Sequence, residues 1–229
     1  MSPKTILILG AGPRVGWSIG KKFAAEGYSV AVASRKPDSK AAEADNFLPL
    51  SVDLTKPESV KDAFKQTKEK LGVPSVVIYN AATLTFPPDF SDPFSVGADA
   101  FIADTAVNAV GAFAAIQESV AGFKSLDAAT PKVFIATGNI LPFNPVPLCV
   151  TLGAGKAALA HFIDVGTKAY AEKGYRFYFA SQVTKDGNTV DFPELSGEAH
   201  GNVYWELVGE KEQGPWDVRF VGDGKRWVG

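Results

Sequence analysis

Short, nearly continuous apolar runs alternate along the chain with longer stretches whose apolar positions recur every three to four residues. The runs are 5–9, 29–33, 47–52, 75–79, 132–136, 176–180 and 216–221. Runs of this length, bounded by Gly, Asn or Asp, predict strands buried on both faces, as strands in parallel sheets are. The periodic stretches 17–27, 55–71, 98–123 and 151–172 predict helices, and 202–212 a further short one. Residues 36–46 read as a polar, alanine-rich connection. Strands alternating with helices predict one α/β domain over residues 1–229, with a doubly wound parallel sheet of about seven strands between two helical layers.

The first turn of this pattern carries the first chemistry. Gly10-Ala11-Gly12-Pro13-Arg14-Val15-Gly16 joins the first strand to the first helix. Gly10 permits a tight turn, Gly12 lets a pyrophosphate approach the backbone, and Gly16 lets the helix pack on the sheet. The N–H groups at the helix start, around Val15, would face phosphate oxygens. Strand, glycine loop, helix and strand within about thirty residues form the Rossmann-like unit that binds a dinucleotide. An NAD site ends its second strand with an acid for the ribose 2′-hydroxyl, whereas this strand ends Ser34-Arg35-Lys36. Arg35 suits a 2′-phosphate, with Arg14 as a second candidate through its two-pronged guanidinium. The predicted cofactor is therefore NADP(H).

Composition narrows the partners. A net charge of −2 leaves no electrostatic footprint for nucleic acid or an anionic membrane. Cys149 is the single cysteine, which excludes an internal disulfide and fits a reducing, cytoplasmic setting. Met1-Ser2-Pro3-Lys4 leads straight into a strand without a signal peptide, and no run reads as long enough to cross a bilayer. No cluster of His, Cys and carboxylates has metal-ligand spacing, so no metal is expected. Residues 83–96 and 140–148, rich in Pro and aromatic or aliphatic side chains, read as walls of a pocket for a small hydrophobic substrate. Residues 187–201 read as a polar flap, with His200 near enough to reach substrate, while His161 reads as structural.

Five features in order carry a resemblance: the loop Gly10 to Gly16, Asp53-Leu54 after the third strand, Asn80-Ala81-Ala82 after the fourth, Val107-Asn108 with Gly111, and Lys156-Ala157-Ala158-Leu159. With them the chain resembles the short-chain dehydrogenase/reductase family over nearly its whole length. The resemblance implies that Asp53 contacts the adenine, that Asn80 and Ala81 support the cofactor, and that Lys156 holds the nicotinamide ribose. Leu54 and Val183 join the cofactor-binding set, and Asn108 would maintain a water-linked proton path to Lys156. Pairing into a homodimer or homotetramer through helices 98–123 and 151–172 is also implied.

The chain departs from the family where the chemistry is done. The family places a tyrosine four residues before the lysine, and Leu152 stands there; Asn139 falls on the family's serine. Ala180-Ser181 reads as the place of the family's Pro-Gly after the sixth strand. An amide can orient an oxygen but cannot protonate it. Asn108, Asn139 and Lys156 remain as catalytic candidates. Cys149, Tyr79 and Tyr178 are other potential donors that read more readily as core, and Thr151, a hundred degrees round the helix from Leu152, points elsewhere. The pattern predicts an NADPH-dependent oxidoreductase with a changed proton donor, acting on a hydrophobic carbonyl, imine or enone. A silent NADP-binding sensor or partner-binding protein, and a non-redox enzyme, are the alternatives.

Overall fold

The computed structural model describes residues 4–228. The expectation for Met1-Ser2-Pro3 lies outside them. Seven strands form one parallel sheet in the order β3-β2-β1-β4-β5-β6-β7. They are β1 (Thr5–Leu9), β2 (Ser29–Ser34), β3 (Leu48–Ser51), β4 (Val76–Tyr79), β5 (Lys132–Thr137), β6 (Tyr175–Gln182) and β7 (Asp217–Phe220). The α-helices are α1 (Val15–Ala25), α2 (Ser39–Ala44), α3 (Pro57–Leu71), α4 (Ala98–Thr105), α5 (Ala112–Phe123), α6 (Val150–Tyr170) and α7 (Gly197–Gly209).

Side chains alternate across a strand, so each central strand feeds two cores. Ile6 and Ile8 pack with α1, α2 and α7 on one face, and Leu7 and Leu9 with α3, α5 and α6 on the other. All four are fully buried, which is why the strand has no polar gap. From β1 the chain winds outward to β3, then returns to lay β4 on the other side of β1. The order reverses there, and a crevice opens at the carboxyl ends of the two strands.

The chain departs from the sequence expectations in four places. Residues 39–44 form α2, whose start is held by Asp38 accepting from Ala41 N–H at 3.0 Å; its six residues are too short for a readable period. β6 runs to Gln182, so Ala180-Ser181 lies inside the strand. The run 98–123 is one helical rod with a π-helical turn at Ala106–Gly111 between α4 and α5. That rod and Pro147–Lys173 do reach the length and mean hydropathy, 1.3 and 1.4, of a membrane span. Ala112, Ile116, Leu159 and Ile163 pack them on the sheet as core helices.

The fourth departure is His200. α7 starts at Gly197, earlier than expected, with the Ser196 hydroxyl accepting from Ala199 N–H. His200 is therefore inside a helix, 1% exposed, with its ring edge-on to Phe220 at 4.9 Å. It is placed in the core and not at a substrate. Its Nδ1 lies 2.6 Å from Ser196 O and must carry the proton, since a carbonyl only accepts. Burial pulls the imidazole down to about 4. The folded value is below the unfolded one of about 6.5, so this contribution is complete above pH 6.5 and fades as pH falls towards 4. The loss across that range amounts to about 3 kcal/mol. Urea midpoints measured at pH 7 and pH 4.5 should fall markedly further for the wild type than for His200→Leu; equal falls would show that His200 does not carry the loss.

Candidate active site

A cleft of about 1000 Å³ opens where the strand order reverses, lined by residues 10–13, 34–36, 52–55 and 80–83 with Val107 and Phe192. The glycine loop forms its floor. Gly10 has φ +86°, and a Cβ there would lie 2.5 Å from Ala81 N, so the loop turns tightly against the end of β4. A Cβ on Gly16 would lie 2.7 Å from Ala11 Cα. Gly12 differs: nothing lies within 4 Å of its missing Cβ, so its face is open to an incoming group. At the N-cap of α1, Arg14 offers no side-chain acceptor, which leaves the first N–H groups, those of Val15 and Gly16, and the positive helix end for a ligand.

Ser34, Arg35 and Lys36 stand at the carboxyl end of β2 and line the cleft without an acid among them. Across from them, Asp53 accepts from Thr55 Oγ1 at 2.7 Å and Thr55 N–H at 3.1 Å. These bonds, chiefly the hydroxyl's, hold its carboxyl below the usual range. Arg14 is engaged elsewhere: its Nη1 donates to Phe192 O, and its guanidinium lies 4.7 Å from the centre of the Phe192 ring. Val183 is 1% exposed just past β6, its N–H donating to Phe220 O at 2.8 Å.

A chain of hydrogen bonds runs from the glycine loop into the core. Asn80 Nδ2 donates to Gly10 O at 2.9 Å, and Thr137 Oγ1 donates to Asn80 Oδ1 at 2.9 Å. Tyr204 OH donates to Thr137 Oγ1 at 2.9 Å, and Lys156 Nζ donates to Thr137 O at 2.7 Å. Lys156 is 3% exposed, and burial pulls its ammonium down to about 8. Leu152 lies one turn earlier on α6, partly exposed. Asn139 accepts from Leu141 N–H at 3.1 Å through Oδ1, so its amide N–H₂ is the end that remains to donate.

Asn108 sits in the π-helical turn, a feature common at functional sites. Its Nδ2 donates to Thr83 O at 2.8 Å and its Oδ1 accepts from Thr83 N–H at 3.0 Å, so the amide clamps the backbone of a cleft residue. Its Cβ lies 2.3 Å from where a Cβ on Gly155 would be, which presses this turn onto α6 beside Lys156. Asp104, 3% exposed, accepts from Thr83 Oγ1 at 3.0 Å and Thr85 N–H at 2.7 Å. Burial raises its carboxyl, but bonds from Thr151, Thr83 and Thr85 outweigh that and hold it low.

Family comparison decides what this cleft belongs to. Residues 4–181 match the sequence model of the short chain dehydrogenase family. A short chain dehydrogenase/reductase dmxR12 of Cryptosporiopsis sp. (strain 8999) is 38% identical over 232 residues, covering 96% of this chain and 93% of the relative. The chain belongs to the short-chain dehydrogenase/reductase family. That is an oxidoreductase family. A 3beta-hydroxysteroid dehydrogenase 1 of Eggerthella lenta is 25% identical over 181 residues, covering 76% of this chain and 67% of that one. Among solved structures, a metagenomic short-chain oxidoreductase in complex with NADP superposes with a TM-score of 0.80 at 15% identity, over 96% of this chain and 98% of that one. A 3-oxoacyl-[acyl-carrier protein] reductase from Brucella melitensis gives 0.81 at 15% identity, over 98% and 97%.

For this reductase-family chain, the structure gathers Gly10, Gly12, Ser34, Arg35, Asp53, Leu54, Asn80 and Ala81 around one cleft. Sequence reasoning gave no role to Asp104, Thr137 or Tyr204, and placed Thr83 only within a pocket wall and Phe192 only within the flap. Position was the signal for two of them: Thr137 ends β5, and Thr83 lies four residues past the end of β4. Tyr79 is fully buried and donates to Val107 O at 2.5 Å, and burial pushes its phenol up. Tyr178 is buried among α1 and α7 residues on the opposite sheet face, bound to Glu210 at 2.6 Å. Burial pushes the Cys149 thiol up. Thr151 is fully buried, 3.4 Å from Thr85 N, and His161 lies on the exposed side of α6.

Proposed function

We propose that this protein is an NADPH-dependent oxidoreductase whose usual proton donor has been replaced, acting on a small hydrophobic carbonyl, imine or enone. The observation that carries the reading is the cleft, whose open Gly12 face and uncapped α1 end stand near a β2 tip of Ser34, Arg35 and Lys36. These donors fit a pyrophosphate and a 2′-phosphate. In this reading Asp53 and Leu54 hold the adenine, Asn80 and Ala81 support the loop, and Lys156 holds the ribose. The cofactor, when bound, supplies hydride.

The chain's own residues handle the charge that hydride transfer places on oxygen. Asn139 offers its amide N–H₂ to the substrate oxygen but keeps its protons. Lys156, oriented by Thr137 O, keeps a positive charge near neutral pH and stabilises negative charge nearby. Leu152 in the tyrosine's place supplies no acid, which favours imines and enones over simple ketones. The apolar side of the reading rests on Phe86, Phe90, Phe94 and Phe143, all exposed on the two wall segments that meet at Pro93–Ser95 and Pro147–Cys149. Exposed Phe101, Ile102, Val110, Phe113 and Val165 on α4 to α6 support pairing of copies through these helices.

The test is titration with NADPH and NADH followed by nicotinamide fluorescence, then addition of ketones, enones and cyclic imines. NADPH should bind more tightly and be oxidised by an imine or enone, and the protein should sediment as a dimer or larger. Tight binding without turnover would favour the sensor or non-redox alternative, which the leucine at 152 supports. Absence of binding would overturn the cofactor reading, and a monomer the pairing.

A further inference from the structure

We propose that Arg14 is a clasp that holds Phe192 over the glycine loop, setting affinity for both dinucleotides while the β2 tip alone chooses between them. This rests on the cofactor reading above. Arg14 and Phe192 are 178 positions apart, yet Nη1 donates to the Phe192 carbonyl and the guanidinium stacks on its ring. A guanidinium grips phosphate with two parallel bonds, and one edge of this fork is already committed.

Phe192 itself shows what the clasp is for. It lines the cofactor cleft, yet its side chain is 72% exposed, an apolar ring with little of the chain packed on it. A bound dinucleotide would cover that surface. The segment bearing it is tied at both ends. Gln182 donates to Glu194 O at 3.2 Å and accepts from Ser196 N–H at 2.8 Å. Thr184 N–H donates to Asn188 O at 3.0 Å, and Asn188 N–H to Thr184 Oγ1 at 3.0 Å. Between those ties the Phe192 carbonyl also accepts from Leu195 N–H at 3.4 Å within its own turn, and Arg14 is the partner from the glycine loop that fixes Phe192 over it. Arg14 is itself held in place, because a Cβ on Gly197 would lie 3.0 Å from Arg14 O, seating α7 on the loop.

Dissociation constants for NADPH and NADH test the clasp. Arg14→Ala should weaken both dinucleotides by a similar factor, roughly 10-fold, for one charged hydrogen bond and one stacked pair, and Phe192→Ala, which keeps the main-chain carbonyl and loses only the stack, should weaken both by roughly 3- to 5-fold. The double variant should be no weaker than Arg14→Ala, because that change already removes both the stack on the Phe192 ring and the bond to the Phe192 carbonyl. Arg14→Lys keeps the charge but not the planar fork and should behave like Arg14→Ala. Arg35→Ala should instead lower the NADPH preference. A fall in NADPH preference in Arg14→Ala that Arg14→Lys restores would overturn the clasp, as would additive losses in the double variant. Wild type that binds neither dinucleotide would instead overturn the cofactor reading.

Discussion

Leu152→Tyr should raise the rate of ketone reduction by roughly 100-fold or more, the usual contribution of a positioned general acid. The substituted side chain would stand one turn before Lys156 on α6, at a partly exposed position. Lys156 would lower the phenol's pKa by placing positive charge beside it. Leu152→Phe is the control, since it adds the ring without the hydroxyl and should gain nothing. Steady-state rates of NADPH oxidation with an aryl ketone decide the matter. A tyrosine variant that folds and binds NADPH but reduces no ketone would show a pocket no longer shaped for that chemistry, and would move the function towards the non-redox alternative.

Gly111→Ala should cost about 3 kcal/mol or more of stability and weaken cofactor binding with it. A Cβ at Gly111 would lie 2.2 Å from Leu54 O and 2.9 Å from the Tyr79 hydroxyl. The first neighbour is backbone and cannot swing away. Relief would have to come from moving Leu54, a cleft residue, or from lifting the π-helical turn that carries Asn108. Gly153→Ala is the matched comparison, because its Cβ would meet nothing closer than Leu141 Cβ at 3.8 Å. That change should be neutral or stabilising by up to about 1 kcal/mol, from helix propensity alone. Urea denaturation of the two variants separates them, and equal midpoints would sink the argument from close approach.

The strands, the long helices and the glycine loop were legible because their causes are local. A strand buried on both faces must be apolar at every position, and Thr5–Leu9 is nearly so. Gly10 needs a positive φ that other residues rarely adopt. The doubly wound sheet of about seven strands followed from the same pattern, and the structure supplied its order, with β4 laid on the other side of β1.

The partners of the polar side chains were not legible, because each lies far off in sequence. Asn80 meets Thr137, 57 positions on, and Arg14 meets Phe192 across 178. His200 read as a flap residue because polar neighbours hid the start of α7, whereas the tertiary fold buries it on Phe220 of the last strand. Sequence alone therefore determined the α/β architecture and the family resemblance, and set a leucine at position 152, since these depend on residue type and spacing. Tertiary structure decided that Arg14 faces Phe192, that Asn108 clamps Thr83 and that Lys156 is held by Thr137 O, because a hydrogen bond depends on where two distant segments are brought to rest.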